Sequence, residues 1–125
     1  MSVLVDTSVW IRALRGRAPF TKALRKLLED EDVLGHDLVY GELLIGDRGG
    51  RASLLRDYAR LTYVSSVSHA DVVSFVRHHG LHGCGIGWID AHLLASAILA
   101  GTRLWTADET LASFAFELKI AFSPP

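Results

Sequence analysis

One pattern constrains this chain more than any other: short apolar runs that take turns with helical stretches. The runs at 2–6 (SVLVD), 33–34, 63–64, 102–106 and 118–122 are rich in β-branched, aliphatic and aromatic residues. Runs this brief, apolar at consecutive positions, read as strands covered on both faces. Strands that alternate with helices pair in parallel, because each return to the same sheet edge needs a crossover. The predicted architecture is therefore α/β, a three-layer α/β/α fold around a central, mainly parallel sheet of four or five strands. Helical spacing is expected over 7–14, 18–29, 37–46, 52–61, 68–80, 89–99 and 109–116, with Asp37 as the predicted cap of the third. Gly49-Gly50 and the four glycines within 80–87 mark breaks.

With 125 residues, 50% of them hydrophobic and 22% charged, the chain has the material for one buried core. Residues 1–125 are expected to form a single domain, and intrinsic disorder is excluded. A lone cysteine, Cys84, rules out an internal disulfide. The longest apolar stretch, 93–100, is too short to cross a bilayer, and the start MSVLVDTSVW lacks a basic leader region. A soluble, cytoplasmic protein without membrane association is expected.

The net charge of −1 excludes a uniformly basic nucleic-acid binder, but its distribution is uneven. Residues 1–28 hold Arg12, Arg15, Arg17, Lys22, Arg25 and Lys26 against the single acid Asp6, a net of +5. The other 97 residues carry −6.

Four acids stand where acids are expensive. Asp6 closes the first strand and Asp108 follows the fourth, so both project at the carboxyl edge of the sheet, where α/β folds bind ligands. Asp90 opens the most apolar helix, and Glu42 stands among Leu38, Leu43, Leu44 and Ile45. Any one of them has an ordinary reading: Asp90 and Asp108 as helix caps, Glu42 as a solvated helix position. Together they repel one another unless a hard divalent cation such as Mg²⁺ or Mn²⁺ relieves the conflict. Such a site can act on phosphodiesters. Thr7, Ser8 and Thr106 adjoin the strand-end acids and have hydroxyls to orient them, or to cap the turns that follow.

The segments VDTSVWI at 5–11, GELLIG at 41–46, IDAHLLASAI at 89–98 and LWTADETLA at 104–112 resemble the four acidic motifs of PIN-domain nucleases. The small size and the reach of the match over the whole chain resemble VapC-type toxins of VapBC toxin–antitoxin pairs. The resemblance implies a metal-dependent endoribonuclease with Asp6, Glu42, Asp90 and Asp108 as its acidic quartet and Thr106 as the family's threonine. It further implies that Asp6, Asp90 and Asp108 hold Mg²⁺ or Mn²⁺, while Glu42 holds metal or orients the attacking water. Water rather than the 2′-hydroxyl would attack, leaving a 5′-phosphate and a 3′-hydroxyl. A VapB-like antitoxin and a homodimer are the implied protein partners.

The six cations between Arg12 and Lys26 flank the strand that delivers Asp6, which suits contact with RNA phosphates or with the antitoxin; a solvated helix face is the plainer reading. His78, His79, His82 and Cys84 are ligand-type residues, but their spacing matches no standard zinc site. His92, near Asp90, is in reach of substrate but reads as a packed or surface histidine, and Trp10, Trp88 and Trp105 read as core or interface residues rather than base-stacking platforms. Two rival functions remain. A phosphoryl-transfer domain with Asp6 as nucleophile would want a second aspartate at position 8, where Ser8 stands. A non-catalytic RNA- or protein-binding module would keep the acids for a structural ion.

Overall fold

The computed structural model describes residues 1–125. Its centre is β1 (Val3–Val5), in which all three side chains are 0% exposed. Burial of every residue in a pleated strand means that both sheet faces are covered, as the alternation requires. From β1 the chain passes through α1 (Thr7–Leu14) and α2 (Phe20–Glu29) to β2 (Val33–Gly35), and through α3 (Asp37–Ile45) and α4 (Ala52–Tyr58) to β3 (Thr62–Tyr63). It then runs through α5 (His69–His78) and α6 (Trp88–Ala100) to β4 (Arg103–Trp105), and ends with α7 (Glu109–Glu117). The sheet order is β3-β2-β1-β4, and every pairing is parallel.

The expected fifth strand shrinks to a single parallel bridge between Leu104 and Ala121. Lys119 adopts a left-handed φ of 63° and turns the chain just before the bridge. Pro124 and Pro125 lack the N–H that a longer ladder would need. The expected cap of α3 also moves by one residue. His36, not Asp37, occupies the cap, and its Nδ1 accepts the Leu38 backbone N–H at 3.0 Å.

At the carboxyl end of β2, Gly35 admits the ring of Tyr63, since a Cβ there would lie 2.7 Å from Tyr63 Cε1. Tyr63 in turn meets Tyr58 edge-on, with ring centroids 5.7 Å apart. Trp10 and Trp105 belong to the core at 4% and 3% exposure, whereas Trp88 is 44% exposed and stands outside it. No helix is long and apolar enough to cross a membrane.

Candidate active site

The strand order places a crevice between β1 and β4. From β1 the chain leads towards β2 on one side of the sheet, and from β4 towards the Ala121 bridge on the other. Diverging connections open a gap at the carboxyl ends of two neighbouring strands, where such sheets hold ligands. Asp6 sits in that gap as the first residue after β1, with its backbone N–H still paired to Trp105 O at 2.9 Å. Only 5% of the residue is exposed.

Two hydroxyls fix the Asp6 carboxylate, and both reach the same oxygen. Ser8 Oγ donates to Oδ2 at 2.7 Å and Thr106 Oγ1 donates to it at 2.8 Å. Ser8 also accepts the Ala107 N–H at 3.0 Å, and Thr106 Oγ1 accepts the Asp108 N–H at 3.1 Å, so the segment after β4 is laced to the start of α1.

The other three acids are held in the same half-tied way. Thr7 Oγ1 donates to Glu42 Oε1 at 2.7 Å, joining residues 35 positions apart. Asp90, in the first turn of α6, accepts the Gly87 N–H on Oδ2 at 3.1 Å. Asp108 caps α7 by accepting the Leu111 N–H on Oδ1 at 2.9 Å, which is the ordinary reading of that residue. Each carboxylate thus has one oxygen committed to the protein and a second that makes no hydrogen bond within it. The capping role and the site role need different oxygens and do not compete.

No lysine or arginine pairs with any of the four; the ion pairs are Met1–Asp32, Lys26–Asp30 and Arg56–Asp57. The electrostatic consequence is visible in two of them. Burial pushes the Glu42 carboxyl above its ordinary value of 4.5, and the charges of Asp6 and Asp90 push it further, against the Thr7 hydrogen bond. Burial likewise raises Asp90, with Asp6 and Asp108 adding repulsion while the Gly87 N–H opposes it. Asp6 and Asp90 therefore bear on one another across the crevice, as do Glu42 and Asp108 with their neighbours.

Two expectations about these acids need correction. Asp108 is exposed at the surface and not set among apolar residues. Leu44 and Ile45 are 52% and 89% exposed, so Glu42 is half-buried through its contact with α1 and not through its sequence neighbours. The chemistry of the donor set nonetheless fits a hard cation: carboxylate oxygens, an excess of negative charge and no competing ammonium or guanidinium. As the side chains stand, no three of them converge closely enough to enclose an ion.

The six basic residues differ in exposure and in partners. Arg12, half-buried one turn after Ser8, donates from Nη1 to the Ser8 carbonyl at 3.2 Å and lies 5.9 Å from the Phe20 ring. Arg15, Arg17 and Arg25 are exposed, and Lys26 pairs with Asp30 at 3.2 Å. Lys22 and Lys26 border a groove of about 440 Å³ that also involves Pro124 and Pro125. Cys84 donates from Sγ towards the carbonyls of Gly80 and His82 within its own loop, while His78 and His79 pack against each other at 4.8 Å.

A parallel sheet with acids gathered at its central carboxyl edge is a nuclease-like arrangement, and comparison with known proteins agrees. The PIN domain family model matches residues 3–117. "Ribonuclease VapC32" of Mycobacterium tuberculosis, in strains CDC 1551 / Oshkosh and H37Rv, is 38% identical over 122 residues, covering 97% of this chain and 96% of the relative. The crystal structure of PAE2754 from Pyrobaculum aerophilum superposes with a TM-score of 0.61 at 18% identity, over 98% of this chain and 88% of the other, which concerns the fold alone. The chain belongs to the PIN-domain family and, within it, to the VapC-type ribonucleases.

Ser8 and Thr106 bond a strand-end acid as expected, whereas Thr7 bonds Glu42 instead, and a second polar cluster went unnoticed in the sequence. His36 follows β2 directly and is 0% exposed. Its Nδ1 accepts from Leu38 N, so Nε2 carries the proton and donates to the fully buried Ser96 Oγ at 3.0 Å. Burial lowers the His36 pKa and keeps the ring neutral. The signal was available in its position: a histidine at a strand end immediately before a helix.

Proposed function

We propose that the chain is a divalent-metal-dependent endoribonuclease acting as the toxin of a type II toxin–antitoxin pair. Its substrate is RNA, and a VapB-like antitoxin holds it in check. One observation carries the reading: four carboxylates at the β1–β4 crevice, each tethered by one oxygen, with no cation paired to any of them. The 38% identity to proteins named ribonucleases supports the substrate class.

Asp6, Asp90 and Asp108 would hold Mg²⁺ or Mn²⁺, with Glu42 as a further ligand or as the group that orients water. When bound, the ion supplies charge neutralisation at the scissile phosphate. The protein groups do the rest. Ser8 and Thr106 hold Asp6 in one rotamer, and Thr7 fixes Glu42 against α1. Where Glu42 orients the attacking water, it would take that water's proton as the water oxygen bonds to phosphorus. The bond from phosphorus to the 3′-oxygen breaks, and that oxygen is protonated from solvent, giving 5′-phosphate and 3′-hydroxyl ends.

Arg12 would steady a substrate phosphate, and Arg15, Arg17, Lys22, Arg25 and Lys26 would extend the positive field for RNA or antitoxin. The proposal includes a homodimer and one catalytic unit spanning 1–125. The exposed free thiol of Cys84 suits a reducing setting such as the cytoplasm.

The test is direct. Purified protein stripped of antitoxin is incubated with total RNA, with Mg²⁺ or Mn²⁺ and then with EDTA. Cleavage that requires the ion and leaves 5′-phosphates supports the proposal; RNA bound without turnover in every metal favours the non-catalytic module.

A further inference from the structure

Trp88 is the large aromatic residue that the core does not absorb. It is 44% exposed at the first position of α6, two residues before Asp90. Two histidines brace it. His92, one helical turn on, stands at 88° to the indole with ring centroids 5.1 Å apart, and His69, at the start of α5, lies 5.3 Å away. A tryptophan fixed in this way presents ring surface to solvent with little conformational freedom left to lose on binding.

The indole also walls a groove of about 320 Å³ between α5 and α6. Val73 and Val76 supply its apolar lining, and Arg77 and His82 complete it. Arg77 is exposed and makes no ion pair, and no acidic residue lines the groove. An apolar slot with an aromatic wall and a free guanidinium matches the chemistry of one unstacked nucleotide: a flat base against the indole, a phosphate near the cation. An apolar peptide side chain would leave the arginine without a counter-charge.

We infer that Trp88, with Val73, Val76, Arg77 and His82, forms a base-stacking subsite for a single-stranded nucleotide of the RNA. The inference rests on the nuclease reading above and deepens it. Trp88 and Asp90 share the first turn of α6, so the subsite and the acids are built on one helix end. Trp88 and Arg77 are binding residues here and take no part in proton or phosphoryl transfer.

Fluorescence anisotropy with a labelled, random-sequence single-stranded RNA tests the subsite, using Asp6→Asn protein so that nothing is cut. Cleavage of total RNA with Asp6 intact is followed in parallel. Trp88→Ala is expected to weaken binding roughly tenfold, and Trp88→Phe, which keeps a ring, to stay within about twofold of the parent. Arg77→Ala should weaken binding and flatten its salt dependence. Unchanged binding by Trp88→Ala, with cleavage intact, overturns the subsite and leaves the nuclease reading standing. Absence of cleavage by the unsubstituted protein in Mg²⁺ and Mn²⁺ overturns the reading beneath it. A change of oligomeric state in Trp88→Ala, seen by light scattering, overturns the subsite in favour of a contact between copies.

Discussion

At the end of β2, His36 is fully buried and both ring nitrogens are used, one by Leu38 N and one by Ser96 Oγ. At the end of β1, Asp6 is almost as deeply placed, yet one of its oxygens has no protein partner and its neighbours Glu42, Asp90 and Asp108 are all acids. The two clusters lie at the same edge of one sheet and are built by opposite rules. The histidine cluster is internally complete: Tyr58 Oη accepts the His36 N–H at 2.9 Å, and burial pushes the Tyr58 hydroxyl well above its ordinary range, so it stays neutral. A satisfied buried polar network specifies a fold, whereas one that ends in spare charge awaits something from outside. The difference separates a structural cluster from a working one without reference to any relative.

Substitutions should divide the two regions cleanly. Asp6→Asn is expected to lower RNA cleavage about 100-fold or more while the melting temperature hardly moves, because losing even a residue behind a metal ligand costs 10–100-fold. His36→Ala should do the reverse, destabilising the fold by about 2–3 kcal/mol in denaturant titration while the folded fraction cleaves normally. Loss of activity in His36→Ala at full stability would break the division.

A smaller effect is expected at Thr7, which belongs to the acidic cluster only through its hydroxyl. Thr7→Val keeps the shape and removes the bond to Glu42, so cleavage should fall about tenfold with little change in stability. Ser96→Ala leaves the His36 Nε2–H unsatisfied and should cost about 1–2 kcal/mol, measured by thermal unfolding, with cleavage intact.

The alternation of strands and helices was legible because it depends on local pattern, and so was the position of Asp6 and Asp108 after strands, since charge at a strand end is visible in one dimension. What was not legible depended on contacts across the chain. Which residue caps α3 was decided by His36 reaching the Leu38 amide ahead of Asp37. Glu42 owes its surroundings to Thr7, and Leu44 and Ile45 beside it turn outwards. Trp88 resembles Trp10 and Trp105 in sequence, but it opens a helix whose buried side is filled by Ala91, Leu93 and Leu94. The cations of 12–26 look alike in sequence, but Arg12 is half-buried against Phe20 and Lys26 is paired with Asp30, contacts that the run itself does not show.

Burial and mutual repulsion make the charged acids oppose folding in order to serve chemistry. Glu42→Gln tests it most directly, because glutamine can still accept the Thr7 hydroxyl while losing the charge. In metal-free protein at neutral pH, its melting temperature should rise by roughly 1–3 °C while cleavage collapses in the presence of metal. The gain should shrink as pH falls: Glu42 ionises in the folded state only above its ordinary 4.5, so the folded protein takes up that proton before the unfolded chain does, and the penalty disappears on acidification. A Glu42→Gln protein that melts lower at neutral pH, or that cleaves RNA at the unsubstituted rate, would contradict the account.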